Sequence, residues 1–431
     1  MNIALERDLS AFVEDRTDRL VGIVRDLVRL PSENRAPLGS ELACQEYAAA
    51  RLRRAGWEPS VYTPLEAPGI EEHPMYWPGR QYAGRPNVAA VRKGAGGGRS
   101  LMLSGHMDTV PAGSAAWSRA PFGGEVEGNR LYGRGAVDMK AGIASNLFVV
   151  ESLAELGIEL AGDLTFESVV DEEFGGVNGT LAGRLMGFHA DAAVLSEPTS
   201  NRVCPAQRGG RTVQIRFAAP NGGILAPVRG ADVTEQLRLF LNALPAFVQL
   251  RRMAAPAHPL YAHLEEPVPV TLARVHTAPW GTSEPPNVPP ICQVELFWQA
   301  MPGETVETID RDFDMWLSSL VRANPANFAV PPVVTHPIRW LPGSALPASD
   351  PLVAQFAETV TTVLGKTPKV CGIEGPCDMY VFHEFGIPAL LWGPGGGNVH
   401  MSDEYLEIDS LVASTKALLA FVCQWCGVAT R

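Results

Sequence analysis

Up to Glu197 the chain alternates amphipathic stretches with short apolar runs, the pattern of helices interleaved with strands. Leu20, Val21, Ile23, Val24, Leu27 and Val28 share one face of a helix. A second helix is expected over roughly Ser40 to Ala55, ended by Gly56. From about Arg208 the rhythm changes. Val213 to Phe217 reads as a strand, Val233 to Leu250 as a helix, and Val268 to Val275 and Val294 to Trp298 as strands. Thr305 to Val321 then reads as a helix and Val333 to Trp340 as a last strand. That β-α-β-β-α-β order is the split βαβ, or ferredoxin-like, unit. From about Pro351 the α/β character returns. The pattern predicts an α/β domain, a mixed sheet flanked by helices, built from 1–207 and 343–431 and interrupted by a ferredoxin-like α+β domain over 208–342.

Composition supports two domains, since 431 residues with 46% hydrophobic content exceed the usual single domain and can bury a large core. The 47 Asp and Glu outnumber 35 Lys and Arg, a net charge of -12. Nucleic acid and anionic membranes need basic patches, so neither is expected as a partner. No run of about 18 apolar residues occurs, and a membrane span is excluded on that ground. Charges of both signs run through the first 30 positions without an apolar core, which predicts no signal peptide and a cytoplasmic protein. Seven cysteines, odd in number and scattered, fit a reducing compartment better than a disulfide framework. Cys423 and Cys426 form one C-x-x-C pair with no second, while Cys44, Cys204, Cys292, Cys371 and Cys377 read as small core residues.

Candidate chemistry gathers where apolar runs end. His106-Met107-Asp108 follows Leu101 to Leu103, and an imidazole two residues from a carboxylate is how a strand end can present a metal-ligating His with its second nitrogen held. Asp138 lies among Gly133, Gly135 and Gly142. Asp171-Glu172-Glu173 follows Leu164 to Val170, and three adjacent acids repel unless a cation or a shared proton offsets them. Glu197 ends another apolar run, and His400 follows Ile387 to Trp392. Any one of these is ordinary loop chemistry. Five at the ends of five expected strands point to one site, because ligands bind at the carboxyl edge of an open α/β sheet. The glycine run Gly94 to Gly98 lacks the Lys-Ser/Thr ending of a phosphate loop and reads as a turn.

The order, spacing and flanking glycines of these motifs resemble the aminoacylase, acetylornithine deacetylase and succinyl-diaminopimelate desuccinylase family of dinuclear, metallopeptidase-like hydrolases, across nearly the whole chain. The resemblance implies that His106, Asp138 and Glu197 hold one divalent ion and that Asp138, Glu173 and His400 hold a second, with Asp138 bridging. It makes Glu172 the general base and Asp108 the acid that orients His106, and it implies a cis peptide bond from Asp138 to Met139. It also implies a small-molecule substrate, and a lid and dimer interface in the inserted domain, hence a homodimer or higher homo-oligomer. The chemistry is consistent: two cations acidify a water and polarise the substrate, and a neighbouring carboxylate can shuttle the proton. Ligands that are all oxygen and imidazole nitrogen suit zinc, manganese or cobalt alike.

Departures from that family are specific. Relatives carry a His that stabilises the oxyanion of amide hydrolysis, in a stretch matched here by AAPNGGILAPVRGADV. Pro227 and Gly230 keep their places, but Gly223 stands at the His position, and losing one oxyanion donor costs on the order of 10²-fold in rate. Where relatives have Thr-Asp-Ala-Arg, this chain keeps Asp378 but has Met379 and Tyr380, and Tyr cannot give the bidentate fork with which Arg grips a carboxylate. Phe297-Trp298-Gln299 replaces a usual Asp-x-Arg, while Asn287 matches a substrate-contacting Asn. The stretch Pro64 to Pro86, with Met75, Tyr76, Trp77 and Tyr82, either packs as a long surface loop or joins Met379 and Tyr380 as an aromatic wall for a flat substrate.

Three readings follow. One is an N-acyl-amino-acid deacylase or dipeptidase. The second is hydrolytic deamination of an electron-poor aromatic amine with release of ammonia, in the manner of the manganese-dependent 5-nitroanthranilate aminohydrolase type; the two absences tilt the sequence toward it. The third is an inactive relative that only binds metal, against which the intact base and ligand set stand.

Overall fold

Leu101–Ser104, Leu164–Ser168, Ala193–Leu195 and Ala389–Leu391 are mutually parallel strands at the centre of a mixed sheet. Every residue in them is buried, which is why they read as continuous apolar runs rather than as alternation. The structure is a computed structural model that describes residues 3–219, 222–223, 231–277 and 287–429. Antiparallel strands extend the sheet on both sides. Leu164–Ser168 pairs with Asn87–Arg92, which pairs with Ser60–Tyr62, and Ala389–Leu391 pairs with Val203–Gln207, which in turn meets Val370–Ile373.

Helices Thr17–Val28, Leu42–Arg54, Lys140–Glu155, Pro351–Leu364 and Ile408–Cys426 bury Leu27, Leu52, Phe148, Phe356 and Phe421 in one core. Lys140–Glu155 is buried along every face of its first three turns, so it has no polar stripe to betray a helical period. A helix that the apolar pattern does not single out, Ile3–Glu14, adds Leu9, Phe12 and Val13. This body comprises Met1–Ala206, Ala345–Ile373 and Cys377–Arg431. It also holds a small antiparallel sheet in the order Gly396–Gly397, Tyr405–Glu407, Arg130–Tyr132, Glu125–Glu127.

The second unit, Gln207–Ser344 with Glu374–Pro376, has the ferredoxin-like order. Its antiparallel sheet runs Val270–His276, Ile291–Ala300, Gly209–Ala218, Val333–Thr335, with helices Val233–Ala254 and Val306–Ala323 between strands. Phe217, Phe240, Phe247, Trp298 and Phe313 fill the layer between sheet and helices. The last strand stops at Thr335 rather than reaching Trp340, because Pro337 has no N–H to give the ladder. Asp232 caps the first helix by accepting from Glu235 N–H, and Thr305 caps the second. Gly222–Gly223 pairs with Asn287–Val288 as a separate two-stranded ribbon. No helix among the described residues is long and apolar enough to cross a membrane.

Candidate metal centre

Three of the five expected ligands, with the expected base, stand just past the carboxyl ends of the parallel strands. His106 lies two residues beyond Ser104 and is held there by a bridge to Val169; Glu172 and Glu173 follow Leu164–Ser168, and Glu197 follows Ala193–Leu195. The expectation of five strand ends in one sheet needs correcting for the other two. Asp138 and His400 come from loops of the small antiparallel sheet, where Tyr405–Glu407 pairs with Arg130–Tyr132 and so brings the two loops together.

The geometry centres on Asp138. Its Oδ1 lies 3.3 Å from His106 Nε2, and its Oδ2 lies 3.2 Å from His400 Nε2. One carboxylate thus faces two imidazoles with different oxygens, the arrangement a bridging ligand needs. Glu197 Oε1 is 3.8 Å from His106 Nε2, and Glu173 Oε2 is 3.2 Å from His400 Nε2. Ligand atoms of His106, Asp138 and Glu173 lie within 4.8 Å of one another. Glu172 Oε2 approaches His106 Nε2 to 3.8 Å, so the expected base borders the cluster. The Asp138-Met139 peptide bond is cis.

Burial pushes the Glu172 carboxyl well above its ordinary range; His106 opposes the shift, while Asp378, Glu197 and Glu173 reinforce it. Burial likewise pushes Glu197 up to about 8, against the pull of His106. For Asp138 the hydrogen bonds to His106 and His400 outweigh burial and hold it below its ordinary range. Four carboxylates and two imidazoles crowd together here, with His106, Glu173 and Glu197 buried and His400 half exposed, and so many acids stay ionised together only beside strong positive charge. Oxygen and imidazole donors at these spacings fit divalent cations, so the residues present suit the ions that the motifs imply.

Residues 102–424 match the peptidase family M20/M25/M40. The chain belongs to this family. It is accordingly a metal-dependent hydrolase acting on C–N bonds. A curated relative from Halalkalibacterium halodurans, N-formyl-4-amino-5-aminomethyl-2-methylpyrimidine deformylase, is 27% identical over 98% of this chain and 98% of its own length. Acetylornithine deacetylase of Salmonella typhimurium is 28% identical over 79% of this chain and 83% of its own. Among solved structures, human carnosine dipeptidase 1 shares the fold with a TM-score of 0.77 at 14% identity, covering 98% of this chain and 99% of that one. A dinuclear metal-binding M20 peptidase from Bacillus subtilis shares it with a TM-score of 0.59 at 15% identity, covering 96% and 100%.

In this M20 chain the candidate ligands are held by groups that the motifs do not reveal. His106 Nδ1 lies 2.8 Å from the Asp108 backbone carbonyl, whereas the Asp108 carboxylate is 3.7 Å away. That carboxylate instead accepts from the backbone N–H groups of Glu172 at 3.2 Å and Glu173 at 3.0 Å, and from Asn34 Nδ2 at 2.9 Å. Asp108 therefore ties the His106 strand end to the acidic turn as well as bordering the imidazole. Glu404, fully buried, accepts from the backbone N–H groups of Gly135, Val137 and Asp138 and from Arg134 Nη1, fixing the Asp138 loop. Gly393 is required by close approach, since a Cβ there would lie 2.3 Å from the Glu197 carbonyl oxygen. The only sequence hint of these supports was position: Glu404 sits four residues past His400, and Asn34 in an otherwise plain loop.

The expected substrate contacts fall differently. Met379 is fully buried among Met102, Leu195, Cys204 and Phe382. Tyr380, 2% exposed, packs with Tyr62, Ala67, Ile70 and Leu181. Neither is brought to the ligand cluster as an open surface. Asp378 lies closer, fully enclosed and hydrogen-bonded to Thr180, with burial pushing its carboxyl up to about 7. Asn287 pairs with Gly223 across the two-stranded ribbon, which sets the missing-His position opposite the expected substrate-contacting Asn. Pro227 and Gly230 lie outside the described residues.

Proposed function

We propose that the chain hydrolyses the amide bond of a small N-acyl amine whose amine half carries no carboxylate, with an N-formyl aminomethylpyrimidine as the leading candidate. The observation that carries the hydrolytic reading is the fork at Asp138, whose two oxygens each face a different imidazole, with Glu172 3.8 Å from His106. Two divalent ions bound there, of zinc, manganese or cobalt, would acidify water and polarise the acyl carbonyl. His106, Asp138 and Glu197 are assigned to one ion, and Asp138, Glu173 and His400 to the other. Glu172 accepts the proton of the attacking water at a carboxylate oxygen and passes it to the departing amine nitrogen. Asp108 holds Glu172 by its backbone N–H, so the base keeps its aim while its charge changes.

The absent grip supports the narrower choice. A formamide of a ring amine offers no carboxylate, so Tyr380 in place of Arg removes nothing that such a substrate needs. The deformylase relative that spans 98% of both chains is named for a substrate of that kind. Deamination of an aromatic amine rests on the same absences alone, and of its expected aromatic wall Met379 and Tyr380 are closed into the core. Asn287, Met379 and Tyr380 remain assigned to the substrate side, Asn287 by contact and the other two by shaping what lies behind the site. Assembly as a homodimer or higher oligomer through the inserted unit belongs to the same reading, supported by the exposed edge strand Val270–His276. So does a cytoplasmic location, supported by the odd and scattered set of seven cysteines, none of them in a disulfide.

Metal-loaded protein should release formate from the N-formyl pyrimidine, more slowly acetate from N-acetylornithine, and no ammonia from ortho-aminobenzoates. Glu172→Ala should keep both metals and lose turnover. Ammonia release without acyl hydrolysis refutes the amide reading, and two bound metals with no turnover of any C–N substrate refutes the enzymatic one.

A further inference from the structure

Behind the acidic turn, a segment outside the ligand motifs grips the residue from which the turn departs. Asp171 is fully buried and has φ 66°, a left-handed conformation that Asp tolerates better than most residues but that still costs energy and needs holding in place. Its carboxylate supplies that hold. The Tyr82 hydroxyl donates to Oδ2 at 2.7 Å, Asn34 Nδ2 to Oδ1 at 3.2 Å and Arg85 Nη2 to Oδ1 at 3.4 Å, while Arg80 Nε lies 3.7 Å from Oδ2. Arg85 is chiefly engaged with Glu41, at 2.7 and 2.9 Å. Arg80 is not so engaged: its guanidinium is buried, stacks 4.0 Å over Trp77, and its three nitrogens make no hydrogen bond among the described residues. Its charge is left facing Asp171. Trp77 is fixed in turn, its backbone N–H donating to Asn178 Oδ1 at 2.9 Å and its carbonyl accepting from Asn178 Nδ2 at 2.8 Å.

We infer that Tyr82 and Arg80 are positioning residues for the base: by clamping Asp171 in its left-handed turn they set the direction in which Glu172 and Glu173 leave it. The inference rests on Glu172 being the base. Asp108 holds the turn from the ligand side through the Glu172 and Glu173 N–H groups, and Gly176 N–H donates to the Glu172 carbonyl at 3.0 Å. The Tyr82 and Arg80 clamp closes the remaining side. Both residues belong to the stretch Pro64 to Pro86, which thereby acquires a task beyond packing.

Tyr82→Phe removes one oxygen atom and keeps the ring, and Arg80→Met removes the charge while Arg80→Lys retains it. Each full-length variant is loaded with cobalt, whose visible spectrum reports Glu173 ligation without any substrate, and with the wild-type metal for kinetics. The expected result is a shifted cobalt spectrum for Tyr82→Phe and Arg80→Met, with kcat lower by on the order of tenfold and KM within about twofold. Arg80→Lys should restore most of both readouts. Wild-type spectra and kcat in Tyr82→Phe and Arg80→Met, with only thermal stability lowered, would overturn the inference. If Tyr82→Phe does not fold, the Arg80 pair decides alone. If the wild type turns over no amide, the proposed function fails, and the cobalt spectra still decide whether the clamp sets the turn.

Discussion

Glu404→Gln tests whether the Asp138 loop is held as the geometry indicates. Oε1 of Glu404 accepts from Val137 and Asp138 N–H at 3.1 and 3.2 Å, and Oε2 accepts from Gly135 N–H at 3.1 Å and Arg134 Nη1 at 2.5 Å. An amide keeps the shape but turns one of these acceptors into a donor, so two of the four contacts become donor against donor whichever way it flips. Hydrogen bonds to a charged group contribute about 1.5–3 kcal/mol each, and a buried cation stripped of its partner costs about 3–5 kcal/mol. Those figures overlap rather than add. Burial also pushes the Glu404 carboxyl up against the pull of Arg134, so part of the attraction already offsets desolvation. A loss of about 4 kcal/mol follows.

The functional effect should run through Asp138, whose backbone N–H is one of the four donors. Loss of a group that orients a metal ligand typically lowers metal affinity or activity ten- to hundredfold, a range roughly applicable here. Denaturant unfolding followed by tryptophan fluorescence measures the first quantity, and competition with a chromophoric chelator measures the second. A Glu404→Gln protein that unfolds at the wild-type midpoint and holds both metals as tightly would refute the account of how this loop is fixed.

Two further outcomes are expected. Burial lowers the His383 pKa against the Ala389 carbonyl and the charges of Asp350 and Glu384, so between that lowered value and about 6.5 the unfolded chain binds more protons than the folded one. His383 thus contributes stability above about pH 6.5 that is lost as pH falls, and His383→Gln should flatten the difference in unfolding midpoint between about pH 7.5 and 5. Gly393→Ala forces a Cβ to within 2.3 Å of the Glu197 carbonyl oxygen, so one of the two metals should bind more weakly by at least about tenfold, measured by metal content after dialysis.

Much of this architecture is legible in the sequence because its signals are local. The parallel strands are short, wholly buried apolar runs, and the acids and His at their ends break those runs sharply. The ferredoxin-like unit shows as clean amphipathic helices, with Phe240 and Phe247 facing inward. What escapes is long-range. Nothing near Asp138 in sequence announces Glu404, 266 residues away, as the carboxylate that gathers its loop. Asn34 is linked to Asp108 and Asp171 across 74 and 137 residues, and it stands among loop residues with no period at all. The strand over 333–340 was overestimated for the opposite reason: a local apolar pattern continued past a proline that the ladder could not use.

The two oddities of the sequence, the long stretch from Pro64 to Pro86 and Tyr in place of a carboxylate-gripping Arg, prove to be one structural feature. Tyr380 packs with Ala67 and Ile70 from that stretch and with Tyr62 just before it, and Met75 and Tyr76 pack against the same cluster. An Arg at 380 would place a charge in this apolar contact, and an Ala would leave it unfilled. The other end of the stretch carries Arg80 and Tyr82 to Asp171. The substitution that removes the grip on a carboxylate therefore anchors the segment that clamps the acidic turn. On this reasoning, Tyr380→Arg alone should not confer activity on carboxylate-bearing amides. It should loosen the stretch and lower kcat on every substrate, because on the proposed reading the contact it breaks supports the base.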